Sequence, residues 1–143
     1  MKRRVYLDTS AYLASLLNER RAGAVREATA NAAIYSTVLL VAETRRTLVR
    51  LARERRLSLV TFGILTRQVD VDVTTFALAP VTAELGAHPV MPQTATPRTL
   101  DLLHLRTALH FHEQRALTAF LSLDLAQNDS TQELGLPLAA VGH

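Results

Sequence analysis

The chain has 143 residues, 48% of them hydrophobic and 20% charged, with a formal net charge of +3 and no cysteine. This length suits one globular domain, which we expect to span residues 1–143, and the composition excludes a disordered or low-complexity protein. The lack of cysteine excludes disulfides, a thiolate metal site and a thiol nucleophile.

Most basic residues lie in residues 1–71, and every basic residue except Lys2 is an arginine. Guanidinium groups bind phosphate oxygens in pairs, which points to nucleic acid, but on charge alone a solvated helical surface explains the bias better. The basic start precedes too few apolar residues for a secretory signal, and the uncharged stretch 28–42 is shorter than the roughly 20 residues of a membrane span. We therefore expect a cytoplasmic protein without a membrane segment.

Short apolar segments alternate with segments of helical periodicity along the chain. The first half is predicted to begin with a strand over 3–7, a helix over 11–17 capped by Thr9 or Ser10, a helix over 20–31 and a strand over 33–35. It is predicted to continue with a helix from a cap at Ser36 or Thr37 to about residue 55, a helix over 57–68 capped by Ser58, and a β-rich segment over 69–79. The second half is predicted to contain a helical turn from Thr82, an irregular segment over 86–98, a helix over 99–114, a strand over 117–123, a helix to residue 133 that stops at Gly135, and a strand over 137–141.

Short apolar strands separated by helices are typical of a parallel sheet that helices cover on both faces. Ligands bind such sheets beyond the carboxyl ends of the strands. Asp8 and Asp124 each follow a predicted strand. Both are therefore expected at the edge of the sheet where ligands bind.

Four carboxylates stand in predominantly apolar surroundings, where burying an unpaired charge costs several kcal/mol. They are Asp8, Glu43, Asp101 and Asp124. A carboxylate in such a position is normally an ion-pair partner, a helix cap or a metal ligand. Each of the four, taken alone, is explained equally well by a structural role. As a group they favour a shared site, because three of them recur at strand-to-helix or loop-to-helix junctions, where a parallel sheet gathers its ligands.

Four segments carry a resemblance to a known family: Asp8-Thr9-Ser10, Ser36-Thr37 with Glu43, Arg98-Thr99-Leu100-Asp101-Leu102-Leu103-His104-Leu105, and Ser122-Leu123-Asp124 with Gly135-Leu136 downstream. They resemble the PIN-domain ribonucleases, in particular the VapC-type toxins of bacterial type II toxin–antitoxin pairs, over residues 5–141. The Arg-Thr-Leu-Asp-x-x-His-Leu segment is the most specific element. The resemblance implies a Rossmann-like three-layer α/β/α sandwich with a mainly parallel central sheet. It also implies a homodimer and a cognate antitoxin, which can join in a higher assembly.

The resemblance further implies cleavage of RNA at a Mg²⁺ or Mn²⁺ site built by Asp8, Glu43, Asp101 and Asp124. We assign Asp8 and Asp101 as principal metal ligands and Glu43 as a ligand or a residue that orients water. Asp124 is assigned to a second ion or to binding through water. Carboxylate oxygens suit these hard cations, and zinc is disfavoured. Asp129 is the alternative fourth acid, although the Ser-x-Asp context favours Asp124.

Side chains beside the acids are candidates for orienting the carboxylates or binding phosphate. They are Ser10, Thr37, His104 and Ser122. A structural role explains each of them at least as well, as a helix cap or, for His104, as a buried histidine with satisfied hydrogen bonds. The candidates for contacts with RNA backbone phosphates are Arg45, Arg46 and Arg98. The alternative function for the whole chain is a catalytically inactive PIN-like domain that binds RNA or a protein.

Overall fold

The computed structural model describes residues 1–88, 93–94 and 98–141. Within these residues the chain forms four strands and seven helices. In chain order they are β1 (Arg3–Leu7), α1 (Thr9–Leu16), α2 (Ala22–Thr29), β2 (Ala32–Thr37), α3 (Val38–Arg53), α4 (Leu59–Val73), β3 (Ala77–Ala79), α5 (Ala83–Gly86), α6 (Thr99–Gln114), β4 (Ala119–Leu121) and α7 (Leu125–Glu133).

The four strands form one parallel sheet in the order β3-β2-β1-β4. Tyr6 on β1 lies opposite Tyr35 on β2 and Phe120 on β4. The chain steps outward from β1 to β2 and β3, and then returns to add β4 on the other side of β1. The winding therefore reverses between β1 and β4, and in sheets of this kind the ligand crevice lies at such a reversal.

Helices cover both faces of the sheet because the side chains of β1 alternate between the two faces. Val5 and Leu7 pack in one core together with Tyr12 and other residues of α1 to α4. Tyr6 packs in the other core together with Leu105 and other residues of α6. The predicted three-layer α/β/α fold with a parallel central sheet is confirmed.

The β-rich segment predicted over residues 69–79 is wrong for its first half. Residues 69–73 continue α4, and only Ala77–Ala79 pairs as a strand. Leu65, Val69 and Val73 recur every four residues and pack against the same core, so a helix buries all three together. The shared core contact outweighs the strand preference of the β-branched residues.

The two strands predicted near the end of the chain are also longer than those observed. The strand predicted over 117–123 is limited to Ala119–Leu121. Residues 137–141 form only a β-bridge, in which the N–H of Phe120 donates to the carbonyl of Pro137 and the N–H of Ala139 donates back to the carbonyl of Phe120. Toward Thr118 the ladder does not continue, since Pro137 has no N–H to donate. On the other side, the N–H of Val141 donates to the carbonyl of Ala139 and not to the neighbouring strand.

Two predicted helix caps are confirmed, because the side-chain oxygens of Thr37, one of the two candidates for α3, and of Ser58 accept backbone N–H groups at the starts of α3 and α4. The helical turn predicted from Thr82 is observed as α5, whose first turn the Thr82 side chain caps. The helix predicted over 99–114 is confirmed at both ends. Of the irregular segment predicted over 86–98, residues 89–92 and 95–97 lie outside the described residues. Among the described residues, no helix combines the length and apolar character that crossing a bilayer requires.

The start of α1 differs from the prediction. The helix begins at Thr9, so Asp8 takes the capping position and Thr9 and Ser10 lie in the first turn. The Asp8 side chain makes no capping hydrogen bond. The hydroxyl groups of Thr9 and Ser10 instead donate to carboxylates of the candidate site.

Candidate active site

All four acids singled out in the sequence line one open cavity of about 310 Å³. Asp8 directly follows β1 and Asp124 follows β4, so the cavity lies at the carboxyl edge of the sheet, beside the reversal of winding. The remaining lining residues are Thr9, Ser10, Leu13, Arg46, Thr47, Arg98 and Leu100. The fold therefore gathers residues that are far apart in the chain at the edge where ligands bind.

Three of the acids lie at the amino ends of helices. Asp8 and Asp124 take the capping positions of α1 and α7, and Asp101 lies in the first turn of α6. Unpaired N–H groups and the helix macrodipole make the electrostatic potential at a helix start positive. This potential favours ionised carboxylates, so three converging helix starts reduce the repulsion among the acids.

Asp8 is held by neutral hydroxyl groups. Its side chain is buried, with 5% of the residue exposed, and its Oδ2 accepts hydrogen bonds from Ser10 Oγ at 3.0 Å and from Ser122 Oγ at 2.7 Å. Its Oδ1 lies 3.7 Å from Nδ1 of His104 and accepts no hydrogen bond from the described residues. Two serines from different elements therefore orient this carboxylate and leave one of its oxygens for a ligand.

Glu43 is held by an ionisable group. Its Oε1 accepts from Thr9 Oγ1 at 2.9 Å and from Nε2 of His104 at 2.7 Å. Burial alone would raise the pKa of Glu43, but the hydrogen bond and the positive charge of His104 lower it below the usual value. Burial alone would lower the pKa of His104, but the hydrogen bond to Glu43 and the charge of Asp8 raise it. Each of the two groups therefore favours the charged form of the other.

Asp124 both caps a helix and lines the cavity. Its Oδ1 accepts from the N–H groups of Ala126 and Gln127 and so caps α7. Gln127, which is fully buried, donates to the main-chain oxygen of Asp101 and ties the start of α7 to that of α6. Asp129 is exposed and is not among the cavity residues. Of the two candidates for the fourth acid, Asp124 is the one on the cavity wall.

The candidate arginines separate in the structure. Arg46 and Arg98 line the cavity, and Arg98 Nε lies 4.0 Å from Asp101 Oδ2. Arg45 is not a lining residue, because its guanidinium pairs with Asp70 on α4 at 2.5 Å. Thr37 is fully buried and caps α3, so it does not reach the cavity either.

The donor set fits a hydrated hard cation better than a tight cage of ligands. Among the residues that the structure describes, no three His, Cys, Asp or Glu side chains lie close enough together to hold one ion. Asp8, Glu43 and Asp124 each use one oxygen for hydrogen bonds within the protein, and the other accepts none from the described part of the chain. Magnesium usually keeps several waters and takes one or two carboxylates directly, so these remaining oxygens suit it.

Two residues of this arrangement were not predicted as site residues. Thr9 was predicted as a helix cap and was part of the Asp8-Thr9-Ser10 motif, but it was assigned no role in the site, and its hydroxyl donates to Glu43. Its position next to Asp8 was a usable signal. Tyr6, whose hydroxyl lies 2.9 Å from Nδ1 of His104, was considered only as a strand residue. A buried aromatic residue in a strand looks the same in a sequence whether or not its hydroxyl has a partner.

Comparisons with known proteins bear on the same part of the chain. The family model of the PIN domain matches residues 5–127, which include all four acids. A search of curated proteins finds no match.

Proposed function

This chain belongs to the PIN-domain family, and from that premise we propose that it is a Mg²⁺- or Mn²⁺-dependent endoribonuclease that hydrolyses phosphodiester bonds of structured RNA. PIN domains are generally nucleases. The observation that carries the proposal is the common cavity lined by Asp8, Glu43, Asp101 and Asp124. Four carboxylates, two arginines and several hydroxyls at one sheet edge suit a polyanionic substrate that is bound through cations.

The carboxylates have separate roles in the proposed reaction. Asp8, Asp101 and Asp124 would hold the ion, directly or through water. When bound, a divalent ion supplies charge neutralisation on the phosphate and lowers the pKa of a coordinated water. Glu43, kept ionised by His104, accepts a hydrogen bond from the attacking water and so orients it. Hydrolysis leaves a 5′-phosphate and a 3′-hydroxyl.

Arginines at the cavity supply contacts to the RNA backbone. Arg46 and Arg98 are exposed and line the cavity beside the acids. Arg50 and Arg53 are also exposed and follow Arg46 at spacings of four and three residues, so they share its face of α3. Phosphate contacts do not select a base sequence, and the chain has few aromatic residues for stacking. We therefore propose that the shape of a folded RNA determines specificity.

We further propose that the chain is the toxin of a toxin–antitoxin pair, that it forms a homodimer, and that it acts in the cytoplasm, where its RNA substrates are. The motif around Asp101 and His104 supports the VapC-type assignment. Exposed apolar side chains on α4, among them Leu59, Val60 and Ile64, support a protein partner. Ile64 also lines an open groove with Leu16 of α1.

Cleavage of structured RNA by the purified protein tests the proposed activity. We expect cleavage that requires Mg²⁺ or Mn²⁺ and that falls about a thousandfold or more in Asp8→Asn, because that change removes a principal metal ligand. Asp129→Asn is the matched control, since Asp129 is exposed and outside the cavity, and it should cleave at the parent rate. Equal cleavage by Asp8→Asn and the parent would refute the mechanism. Binding of RNA without cleavage by the parent would instead favour the catalytically inactive alternative.

A further inference from the structure

A buried polar chain leads from the core of the protein to the cavity. The hydroxyl of Tyr6 lies 2.9 Å from Nδ1 of His104, and Nε2 of His104 lies 2.7 Å from Oε1 of Glu43. Tyr6 and His104 are completely buried, whereas Glu43 lines the cavity. Tyr6 packs in the core on the α6 side of the sheet, and Glu43 lies on α3, which packs on the other side. The hydrogen-bonded side chains of Tyr6, His104 and Glu43 therefore link the two helical layers.

The contacts of His104 determine which nitrogen must carry hydrogen. An ionised carboxylate only accepts, so the contact with Glu43 is a hydrogen bond only when Nε2 carries a hydrogen. The Tyr6 hydroxyl can donate to an unprotonated Nδ1 or accept from a protonated one. The arrangement therefore keeps Nε2–H directed at Glu43 in either charge state of His104. A ring flipped by 180° would present carbon atoms to both partners.

Tyr6 is itself held in place. Its ring stacks on Phe120 with a centroid distance of 5.1 Å and an interplanar angle of 8°, and it meets the ring of His104 edge-on at 86°. Burial, together with the charge of Asp8, raises the pKa of the Tyr6 hydroxyl well above its usual value. The hydroxyl therefore keeps its proton. A fixed, protonated hydroxyl can select one orientation of the neighbouring imidazole.

We propose that Tyr6 is a positioning residue of the nuclease: by hydrogen-bonding Nδ1 of His104, it directs Nε2–H at Glu43 and so fixes the carboxylate on the cavity wall. Thr9 donates to the same oxygen, Oε1, at 2.9 Å. With Oε1 occupied twice, Oε2 is the oxygen that remains for water or an ion. This inference rests on the proposed function, since the role of Glu43 is assigned there.

A double-mutant cycle on RNA cleavage tests the proposal. Tyr6→Phe removes one hydroxyl and keeps the stacked ring, and we expect kcat to fall about tenfold while KM stays within about twofold. His104→Gln has an amide nitrogen for Glu43 but no second nitrogen for Tyr6. In that background, adding Tyr6→Phe should lower kcat by less than about twofold. If Tyr6→Phe lowers kcat by the same factor in both backgrounds, Tyr6 does not act through His104 and the proposal is overturned.

Tyr35→Phe is the matched control, because Tyr35 lies opposite Tyr6 on β2 and packs edge-on against Phe111 outside the polar chain. It should retain the parent kcat. A loss equal to that of Tyr6→Phe would mean that removing any sheet tyrosine hydroxyl has this effect, and would also overturn the proposal.

A second readout does not require cleavage. Imidazole ¹⁵N spectra, recorded above the pH at which His104 titrates and assigned with His104→Gln, report which ring nitrogen carries hydrogen. We expect Nε2–H in the parent, and in Tyr6→Phe a shifted Nδ1 resonance, because that nitrogen loses its hydrogen bond with the Tyr6 hydroxyl. Identical spectra for the two proteins would overturn the proposal. If the parent cleaves no RNA, the proposed function fails, while the spectra still decide whether the Tyr6 hydroxyl hydrogen-bonds Nδ1 of His104.

Discussion

A buried charged residue lies near each end of strand β1, Arg4 within the strand and Asp8 directly after it, and the two are held in different ways. Arg4 at the amino end is 8% exposed, donates to the main-chain oxygens of Arg115 and Ala116, and lies 4.5 Å over the ring of Tyr35. Asp8 at the carboxyl end is 5% exposed and accepts hydrogen bonds through one oxygen only. Its other oxygen is left for a ligand at the cavity.

Burial of a charge is therefore not enough to mark a functional group. The guanidinium of Arg4 donates to backbone carbonyls and lies over an aromatic ring, so it joins β1 to the end of α6. Asp8 shares a cavity with three further acids from other elements. The contrast leads us to expect that changes at Arg4 affect stability, whereas changes at Asp8 affect activity.

The largest effect on stability is expected at the amino end of the strand. Arg4→Met removes two partly buried hydrogen bonds from a charged donor and the contact of the guanidinium with the Tyr35 ring, so the free energy of unfolding should fall by about 2 kcal/mol. Cleavage per folded molecule should stay at the parent value. Urea unfolding measures the first quantity and initial rates of RNA cleavage measure the second.

Arg3→Met provides the control for that change, because Arg3 is an exposed neighbour whose hydrogen bond to the carbonyl of Ala30 is also exposed. It should alter stability by less than about 0.5 kcal/mol. The contrast between the two ends of β1 would break if Arg4→Met abolished cleavage while remaining folded, or if Asp8→Asn were the variant that lost stability.

A smaller effect on stability is expected from pH, and we expect it to arise at the cavity end of β1 and not at Arg4. Because the pKa of His104 is raised from 6.5, its contribution to stability is complete below pH 6.5 and is lost as pH rises through the folded-state pKa. Because the pKa of Glu43 is lowered from 4.5, its contribution is complete above pH 4.5 and is lost as pH falls through its folded-state pKa. The pair should stabilise the protein most between pH 4.5 and 6.5.

Glu43→Gln tests this pH dependence by removing the charge that His104 faces. In EDTA, the parent should exceed Glu43→Gln in unfolding free energy by about 1 kcal/mol more at pH 5.5 than at pH 9. Arg4 keeps its charge over this range, so Arg4→Met should show the same pH profile as the parent. A difference between parent and Glu43→Gln that did not change with pH would mean that His104 is not charged in the folded protein.

The smallest effect is expected from single arginines at the surface. Arg46 lines the cavity, whereas its neighbour Arg45 pairs with Asp70. Variants of these two residues therefore distinguish the loss of a phosphate contact from the loss of an ion pair within the protein. In the Asp8→Asn background, Arg46→Gln should weaken RNA binding a few-fold and reduce the slope of log affinity against log salt by about 1. Arg45→Gln should leave the slope unchanged. Equal slopes for both variants would show that Arg46 does not contact RNA phosphates.

The layered fold and the placement of the acids were predictable because they depend on patterns within short segments. Helix α6 was predicted with both of its ends because apolar residues recur at helical spacing from Leu100 onward. Asp8 and Asp124 were expected at one edge because the carboxyl ends of parallel strands meet there. Residues 69–73 were assigned wrongly, since the core contact that makes them helical comes from other elements.

The partners of the acids were less predictable, because each contact joins residues far apart in the chain. His104 and Glu43 are 61 positions apart, and Tyr6 and His104 are 98 apart. A sequence shows that a histidine shares a helix face with Asp101, but not that a strand tyrosine reaches its other nitrogen. Similarly, Arg45 and Arg46 look equivalent until Asp70 on α4 is seen to pair with one of them.

The central claim is that Asp8, Glu43, Asp101 and Asp124 act together as one divalent-ion site. Titration with Mn²⁺ followed by electron paramagnetic resonance measures this most directly. The signal of free Mn²⁺ disappears when the ion binds to the protein, so the remaining signal gives the concentration of unbound ion. We expect saturable binding by the parent and by Asp129→Asn, and at least a tenfold weaker affinity in Asp8→Asn and Asp101→Asn. Binding by Asp8→Asn as tight as that of the parent, or no binding by the parent, would contradict the claim.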